Sequence, residues 1–83
     1  MNKALVEVYV PVLNHFYDIF IPLEIPLYQV IELIKKAVTE MSDGQFLANE
    51  NTVLCSHDDG TIFNINLSAY ELEIRNGSKL MLI

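Results

Sequence analysis

Near the N-terminus, valine occupies every second position of the chain. This period of two is typical of a half-buried β-strand. One side of the predicted strand over residues 5–12 carries Val6, Val8, Val10 and Val12, and the other carries Leu5, Glu7, Tyr9 and Pro11. After a predicted turn at 13–15, a second strand carries Tyr17, Ile19, Ile21 and Leu23 opposite Phe16, Asp18, Phe20 and Pro22. We expect the valine and isoleucine sides to cover one core, because a one-residue slip would bury Asp18.

The pattern then changes to steps of three and four residues, which predicts an amphipathic helix. Pro26 suits a first helical position, and Ser42-Asp43-Gly44 ends the helix. Its predicted apolar stripe consists of Leu27, Val30, Ile31, Ile34, Val38 and Met41. We expect this stripe to pack across the hairpin, and we expect Glu32 to pair with Lys36 on the outer side.

The second half of the chain predicts short strands separated by turns. Residues 52–56 form one strand, and the Asp59-Gly60 dipeptide that follows is a hairpin signal. Residues 61–63 return as a short fourth strand, 64–73 follow an irregular path, and Asn76-Gly77 turns into a final strand at 78–83. A chain of 83 residues has the length of one domain, which we assign to 1–83.

Charge and hydropathy exclude several classes of partner. Eleven acidic residues against five basic ones give a net charge of −6, which repels nucleic-acid phosphates and anionic lipid headgroups. No apolar run approaches the roughly 20 residues that span a bilayer, and the N-terminal residues show no signal-peptide core. The single cysteine, Cys55, suits a reducing compartment. We therefore expect a soluble cytoplasmic protein that neither binds nucleic acid nor inserts into a membrane.

Candidate catalytic and metal-binding residues are few. Cys55 and His57 with Asp58 and Asp59 could supply metal ligands, but all four would come from one strand end and its tight turn. The preferred interpretation is that Cys55 packs in the core and that the turn is solvated. His15 and Asp18 lack a nucleophile elbow, and three separated glycines do not form a phosphate cradle. We expect no catalytic site, no cofactor and no metal.

Two segments and the order of the elements resemble the YukD/EsaB family of small ubiquitin-like proteins. The segments are Ile25-Pro26-Leu27 before Val30-Ile31-Glu32-Leu33-Ile34, and Tyr70-x-Leu72-x-Ile74-x-Asn76-Gly77-x-x-Leu80-x-Leu82. The resemblance implies an α+β, ubiquitin-like β-grasp: a mixed four- to five-stranded sheet packed on one helix, with the last strand between the first and third. It also implies a cytoplasmic accessory or regulatory component of a Gram-positive type VII (ESX-like) secretion system.

In a β-grasp the sheet side opposite the helix is open, and in ubiquitin-like domains it is the usual docking surface. Alternation predicts that this side carries Leu5, Tyr9, Phe16, Phe20, Leu54, Met81 and Ile83. So many large apolar residues on one open side indicate a protein-binding surface, with Tyr9 and Phe20 as aromatic anchors. The alternative is that residues 64–73 or the N-terminal residues cover some of them. The expected partner is a secretion ATPase, another membrane apparatus component or a second copy of this chain.

A ubiquitin-like modifier or sulfur carrier is the alternative function. Such proteins act through an exposed C-terminal Gly-Gly, whereas this sequence ends on the strand-forming run Leu80-Met81-Leu82-Ile83. The carrier function would require a further tail that bears the two glycines.

Overall fold

The alternating segments form a β-hairpin in a computed structural model of the protein, which describes residues 2–83. The main elements are β1 (Lys3–Val10), β2 (His15–Pro22), α1 (Leu27–Met41), β3 (Leu54–Ser56) and β4 (Lys79–Leu82). The strands lie in the order β2-β1-β4-β3. β1 is antiparallel to β2 and parallel to β4, and β3 is antiparallel to β4. This mixed four-stranded sheet with one helix confirms the predicted β-grasp, including the last strand between the first and third.

The valine and isoleucine sides of the hairpin face one core, as predicted. Val6, Val8, Val10 and Ile21 are fully buried and Ile19 nearly so. The assignment of Val12 to this side was wrong, because its side chain is 77% exposed. Pro11 has no N–H to continue the ladder, and Pro11–Leu13 instead form a 3-10 turn that Asn14 closes by donating to the Pro11 carbonyl at 3.0 Å.

Helix α1 buries its predicted stripe against the sheet, apart from its last residue. Met41 was expected to be buried and is 47% exposed. The buried apolar residue after this end of α1 is Phe46, because the chain turns back at Ser42–Gly44. The Ser42 hydroxyl accepts from the Phe46 N–H at 3.1 Å, and the Thr39 hydroxyl donates to the Phe46 carbonyl at 3.2 Å.

The start of α1 also differs from the prediction. Pro26 is extended (ψ 143°) and precedes the helix rather than opening it. The first free N–H groups of the helix, at Leu27 and Tyr28, donate to the carbonyls of Leu67 and Ile65 at 2.8 and 3.0 Å. The irregular 64–73 segment therefore caps the helix, a role that side chains often fill. On the outer side, Glu32 pairs with Lys35 at 3.1 Å and not with Lys36 as predicted.

The second half contains one strand fewer than the maximum predicted. Residues 61–63 do not form a strand, and Ile62 makes only an isolated bridge to Cys55. Leu54 was expected on the open side of the sheet, but it is 1% exposed and belongs to the core cluster. Its register explains the correction, because Leu54 pairs with Leu82, which faces the helix. Met1 was expected to lead into the first strand and lies outside the described residues.

Candidate protein interface

The side of the sheet opposite α1 is ordered by the strand register into three rows. The first row runs through Phe16, Tyr9, Met81 and Cys55, the second through Asp18, Glu7 and Lys79, and the third through Phe20 and Leu5. Apolar rows therefore flank a charged one, and we call the whole surface the outer face. It is less uniformly apolar than the sequence suggested.

The first row contains a contact cluster of three rings. The ring centroids of Tyr9 and Phe16 are 4.6 Å apart, and the His57 ring lies 5.4 Å from Tyr9 and 5.7 Å from Phe16. Tyr9 is half-buried by these neighbours, and its hydroxyl is 2.7 Å from the Asn14 amide oxygen, to which it donates. Phe16 remains 47% exposed. The cluster fixes the Tyr9 ring, so that binding a partner orders little additional side chain.

The third row is the most exposed apolar part of the outer face. Phe20 is 67% exposed and lies directly across the hairpin from Leu5, which is 38% exposed. These two residues, with Asn76 and Gly77, line a shallow depression at this end of the face. Phe20 is therefore available as an anchor, and it is separated from the ring cluster by Glu7 and Asp18.

The remaining predicted residues have different positions. Met81 is half-buried between Tyr9 and Cys55, and Ile83 is half-exposed two residues further along the same side. The Ile83 backbone is paired with Val53 through two hydrogen bonds of 2.8 and 3.0 Å. Leu54 is in the core and is excluded from the surface.

Two features of the outer face were missed by the sequence prediction. The first is His57, which was interpreted as a solvated turn residue although it contacts Tyr9 and Phe16. The second is the carboxylate pair of Glu7 and Asp18, which lie directly opposite each other in the register. Alternation alone assigned both carboxylates to this side, but only the register shows that they are neighbours.

Cys55 lies on the outer side of the sheet rather than in the helix-facing core, yet it is only 1% exposed. Burial, with a smaller contribution from the Asp59 carboxylate, raises the pKa of the Cys55 thiol. The Asp59 carboxylate accepts the Thr61 N–H at 3.0 Å, and this hydrogen bond lowers the pKa of Asp59. Within residues 2–83, no three His, Cys, Asp or Glu side chains are grouped closely enough to hold a metal ion.

Solved structures of ubiquitin-like domains have the same fold. The EccD5 ubiquitin-like domain from Mycobacterium xenopi is 22% identical and superimposes with a TM-score of 0.82, covering 100% of this chain and 94% of that one. The ubiquitin-like domain of the Mycobacterium tuberculosis type VII secretion protein ECCD1 is 16% identical, with a TM-score of 0.80 over 100% and 99% of the two chains. These likenesses show that the chain has the ubiquitin-like fold.

A larger assembly contains a similar domain. The chain matches 21% of one chain of the MycP5-free ESX-5 inner membrane complex, with all of this chain covered, 15% identity and a TM-score of 0.72. No protein-family model matches the sequence, and no curated protein matches it. Among residues 2–83 there is no helix with the length and apolar character needed to cross a membrane.

Proposed function

We propose that this protein is a non-catalytic, ubiquitin-like accessory or regulatory component of a Gram-positive type VII secretion system. In this proposal it is a cytoplasmic protein of the YukD/EsaB kind, acts as a single domain, and binds another component of the apparatus through its outer face. Its similarity over its whole length to the ubiquitin-like domain of the type VII secretion protein ECCD1, and to that of EccD5, supports the cellular context. The sequence pattern that resembles YukD/EsaB supports the finer assignment.

The single observation that carries the binding role is the exposure of large apolar side chains on an ordered outer face. Phe20 and Leu5 are exposed on two strands of one sheet, and Phe16 is exposed within the ring cluster, which is already packed. Aromatic residues held in place in this way are typical of the residues that contribute most to binding energy. We infer that the partner is a secretion ATPase or another membrane apparatus protein with an apolar surface of matching extent.

The proposal is tested by recovering apparatus proteins with the tagged protein after cross-linking in cells. Tyr9→Ala and Phe20→Asp remove the two anchors, and Leu33→Asp is the matched control because Leu33 is 50% exposed on α1, away from the outer face. We expect the native protein and Leu33→Asp to recover the secretion ATPase or another apparatus component. Each anchor variant should recover about 30-fold less, as removal of a binding residue worth about 2 kcal/mol predicts.

Circular dichroism and thermal unfolding of each variant separate lost binding from lost folding. Recovery of no apparatus protein by the native chain would contradict the cellular role. Undiminished recovery by both folded anchor variants would contradict the assignment of the outer face. Sedimentation equilibrium of the same variants shows whether this face binds a second copy instead.

A further inference from the structure

The outer edge of β2 presents unpaired backbone groups. β2 has eight residues, and no other strand formed by residues 2–83 lies beyond it in the sheet. The Leu23 N–H donates to the Asn2 carbonyl at 3.1 Å, which fixes the phase of the ladder: even-numbered residues of β1 exchange hydrogen bonds with odd-numbered residues of β2. Phe16, Asp18 and Phe20 therefore direct their N–H and C=O groups away from β1.

The other edge of β1 confirms this phase independently. Its odd-numbered residues bond toward the β4 side, since the Leu5 carbonyl accepts from the Gly77 N–H at 2.9 Å and the Glu7 N–H donates to the Ser78 carbonyl at 3.0 Å. No hydrogen bond within residues 2–83 uses the backbone of Phe16, Asp18 or Phe20 on the free side. A strand edge of this length is a ready template for pairing with another chain.

The side chains along this edge give it a definite chemistry. Phe16 and Phe20 are exposed on either side of Asp18, so the edge presents two aromatic rings with a carboxylate between them, all on the outer face. Glu7 lies directly across from Asp18 and places a second carboxylate beside it, whereas Lys79, the cation of this row, pairs with Glu7 on the side away from the edge. The one ion pair in the described part of the chain joins Lys35 to Glu32 on α1, so neither carboxylate of this row has a cation within 4.0 Å.

We propose that the β2 edge binds an extended segment of a partner protein as a fifth strand. This segment has a lysine or arginine opposite Asp18, with an aliphatic residue two positions away on each side to cover Phe16 and Phe20. Backbone hydrogen bonds supply the affinity of such added strands, and alternate side chains supply the specificity. Opposite charges across a strand pair are favourable.

A second copy of the chain fits this edge poorly. In the symmetric antiparallel register that sets Phe16 opposite Phe20 of the other copy, Asp18 falls opposite its own counterpart. Like charges directly across a strand pair are destabilising, and each copy carries a net charge of −6. The charges therefore favour a basic partner segment over self-pairing.

The test is an NMR titration of the ¹⁵N-labelled protein with a capped seven-residue peptide, Thr-Ile-Thr-Arg-Thr-Ile-Thr. The control peptide has glutamate in place of arginine. We expect the arginine peptide to shift the amide signals of Phe16, Asp18 and Phe20 most strongly, because their N–H groups gain acceptors. The glutamate peptide should bind about 10-fold more weakly. Absence of shifts along β2 at millimolar arginine peptide, or equal binding of the two peptides, would overturn the proposal.

Substitutions at Asp18 separate the contribution of the backbone from that of the charge. Asp18→Pro removes the free N–H without breaking a bond to β1, since proline is tolerated where a strand N–H faces solvent. Because Asp18→Pro also removes the carboxylate, the backbone contribution is measured with the glutamate peptide: Asp18→Pro should abolish binding of both peptides, whereas Asp18→Lys, which keeps the N–H, should still bind the glutamate peptide. Asp18→Lys keeps the N–H and should reverse the preference, so that the glutamate peptide binds more tightly than the arginine peptide. Unchanged binding of the peptides by folded Asp18→Pro, or an unchanged preference of Asp18→Lys for the arginine peptide, would refute the proposal that the β2 edge binds an added strand.

The edge goes beyond the proposed outer-face function, because its main-chain pairing requires no secretion component, although Phe16 and Phe20 contribute to both surfaces. Leu33→Asp should bind the arginine peptide like the native protein, because α1 lies on the other side of the sheet. If the titration fails while Phe20→Asp still loses the apparatus protein, only the edge is refuted. If the titration succeeds while the native protein recovers no apparatus protein, the edge proposal stands and the secretion role is refuted.

Discussion

Asn76 and Gly77 do more than turn the chain. β4 pairs with β1 only from Glu7 to Tyr9, so Leu5 lies beyond the end of the parallel ladder. The Asn76 side-chain oxygen accepts from the Leu5 N–H at 2.7 Å, and the Gly77 N–H donates to the Leu5 carbonyl at 2.9 Å. The turn thus extends the hydrogen bonding on this side of β1 from Glu7 to Leu5, and Gly77 adopts the positive φ (86°) that this path requires.

Asn76→Ala should therefore destabilise the fold. The substitution removes the acceptor of the Leu5 N–H, and we expect the free energy of unfolding to fall by about 0.5–1.5 kcal/mol. Urea denaturation followed by circular dichroism measures the change. Arg75→Ala is the control, since Arg75 is exposed and surface substitutions usually change stability by less than about 0.5 kcal/mol. Equal stabilities of the two variants would show that the hydrogen bond contributes nothing.

Asn76 also shows what the sequence could predict at this scale. The Asn-Gly dipeptide predicted a turn, and the structure has one. The bond from Asn76 to Leu5 joins residues 71 positions apart, so it depends on a parallel register that no local pattern contains. The same limit explains Leu54, whose exposure depends on its pairing with Leu82 rather than on its own neighbours.

At the scale of elements, the hairpin carries an unfavourable cross-strand pair. Glu7 and Asp18 are direct partners in the register, and like charges in such positions are destabilising. Asp18 also lies at the middle of an open edge, where a charge discourages indiscriminate pairing with other strands. We infer that Asp18 lowers the stability of the hairpin while limiting which chains can join it.

Asp18→Asn should accordingly raise the free energy of unfolding, by about 0.2–1 kcal/mol. The gain should shrink in 1 M salt, where the Debye length is about 3 Å and the repulsion in the native protein is already screened. Urea unfolding at low and high salt measures both effects. Asp58→Asn, an exposed carboxylate in the β3 turn, is the control and should show no comparable gain. A stabilisation that is absent, or that is independent of salt, would contradict the repulsion.

Elements with a strong period were the ones that the sequence predicted well. β1, β2 and α1 each have seven or more residues in one pattern, and their bounds in the structure differ from the prediction by no more than two residues. Residues 61–63 are too few to show a period, and Ile62 forms only a bridge to Cys55. The capping of α1 by Ile65 and Leu67 could not be predicted, because those carbonyls come from an irregular segment.

At the scale of the whole molecule, one core cluster connects every element. It contains residues of both hairpin strands, α1, β3 and β4, together with Phe46, Ala69 and Ile74 from the connecting segments. Each element depends on this shared core for its burial. We therefore expect residues 2–83 to unfold in one cooperative transition, as small domains usually do. The Cys55 thiol can report on this unfolding from outside the core, because it is buried on the side of the sheet that faces away from α1.

Alkylation of Cys55 should therefore report on global unfolding. At pH 8 the native thiol should react very slowly, because it is 1% exposed and because burial raises its pKa and so lowers the thiolate fraction. In a urea series, the fraction labelled in a short pulse should follow the loss of the helical signal at the same midpoint. The control is Leu33→Cys in a Cys55→Ser background, whose half-exposed thiol on α1 should react without urea. Labelling of Cys55 at a lower urea concentration than the helical transition would show that the Ile62 bridge opens by itself and that the outer side of β3 is a separate, weaker unit.

The raised pKa of Cys55 also sets the sign of a pH effect on stability. The native state holds the thiol proton more tightly than the unfolded chain does. The contribution of Cys55 to the free energy of unfolding should therefore be constant below the unfolded pKa of about 9 and should fall as the pH rises above it.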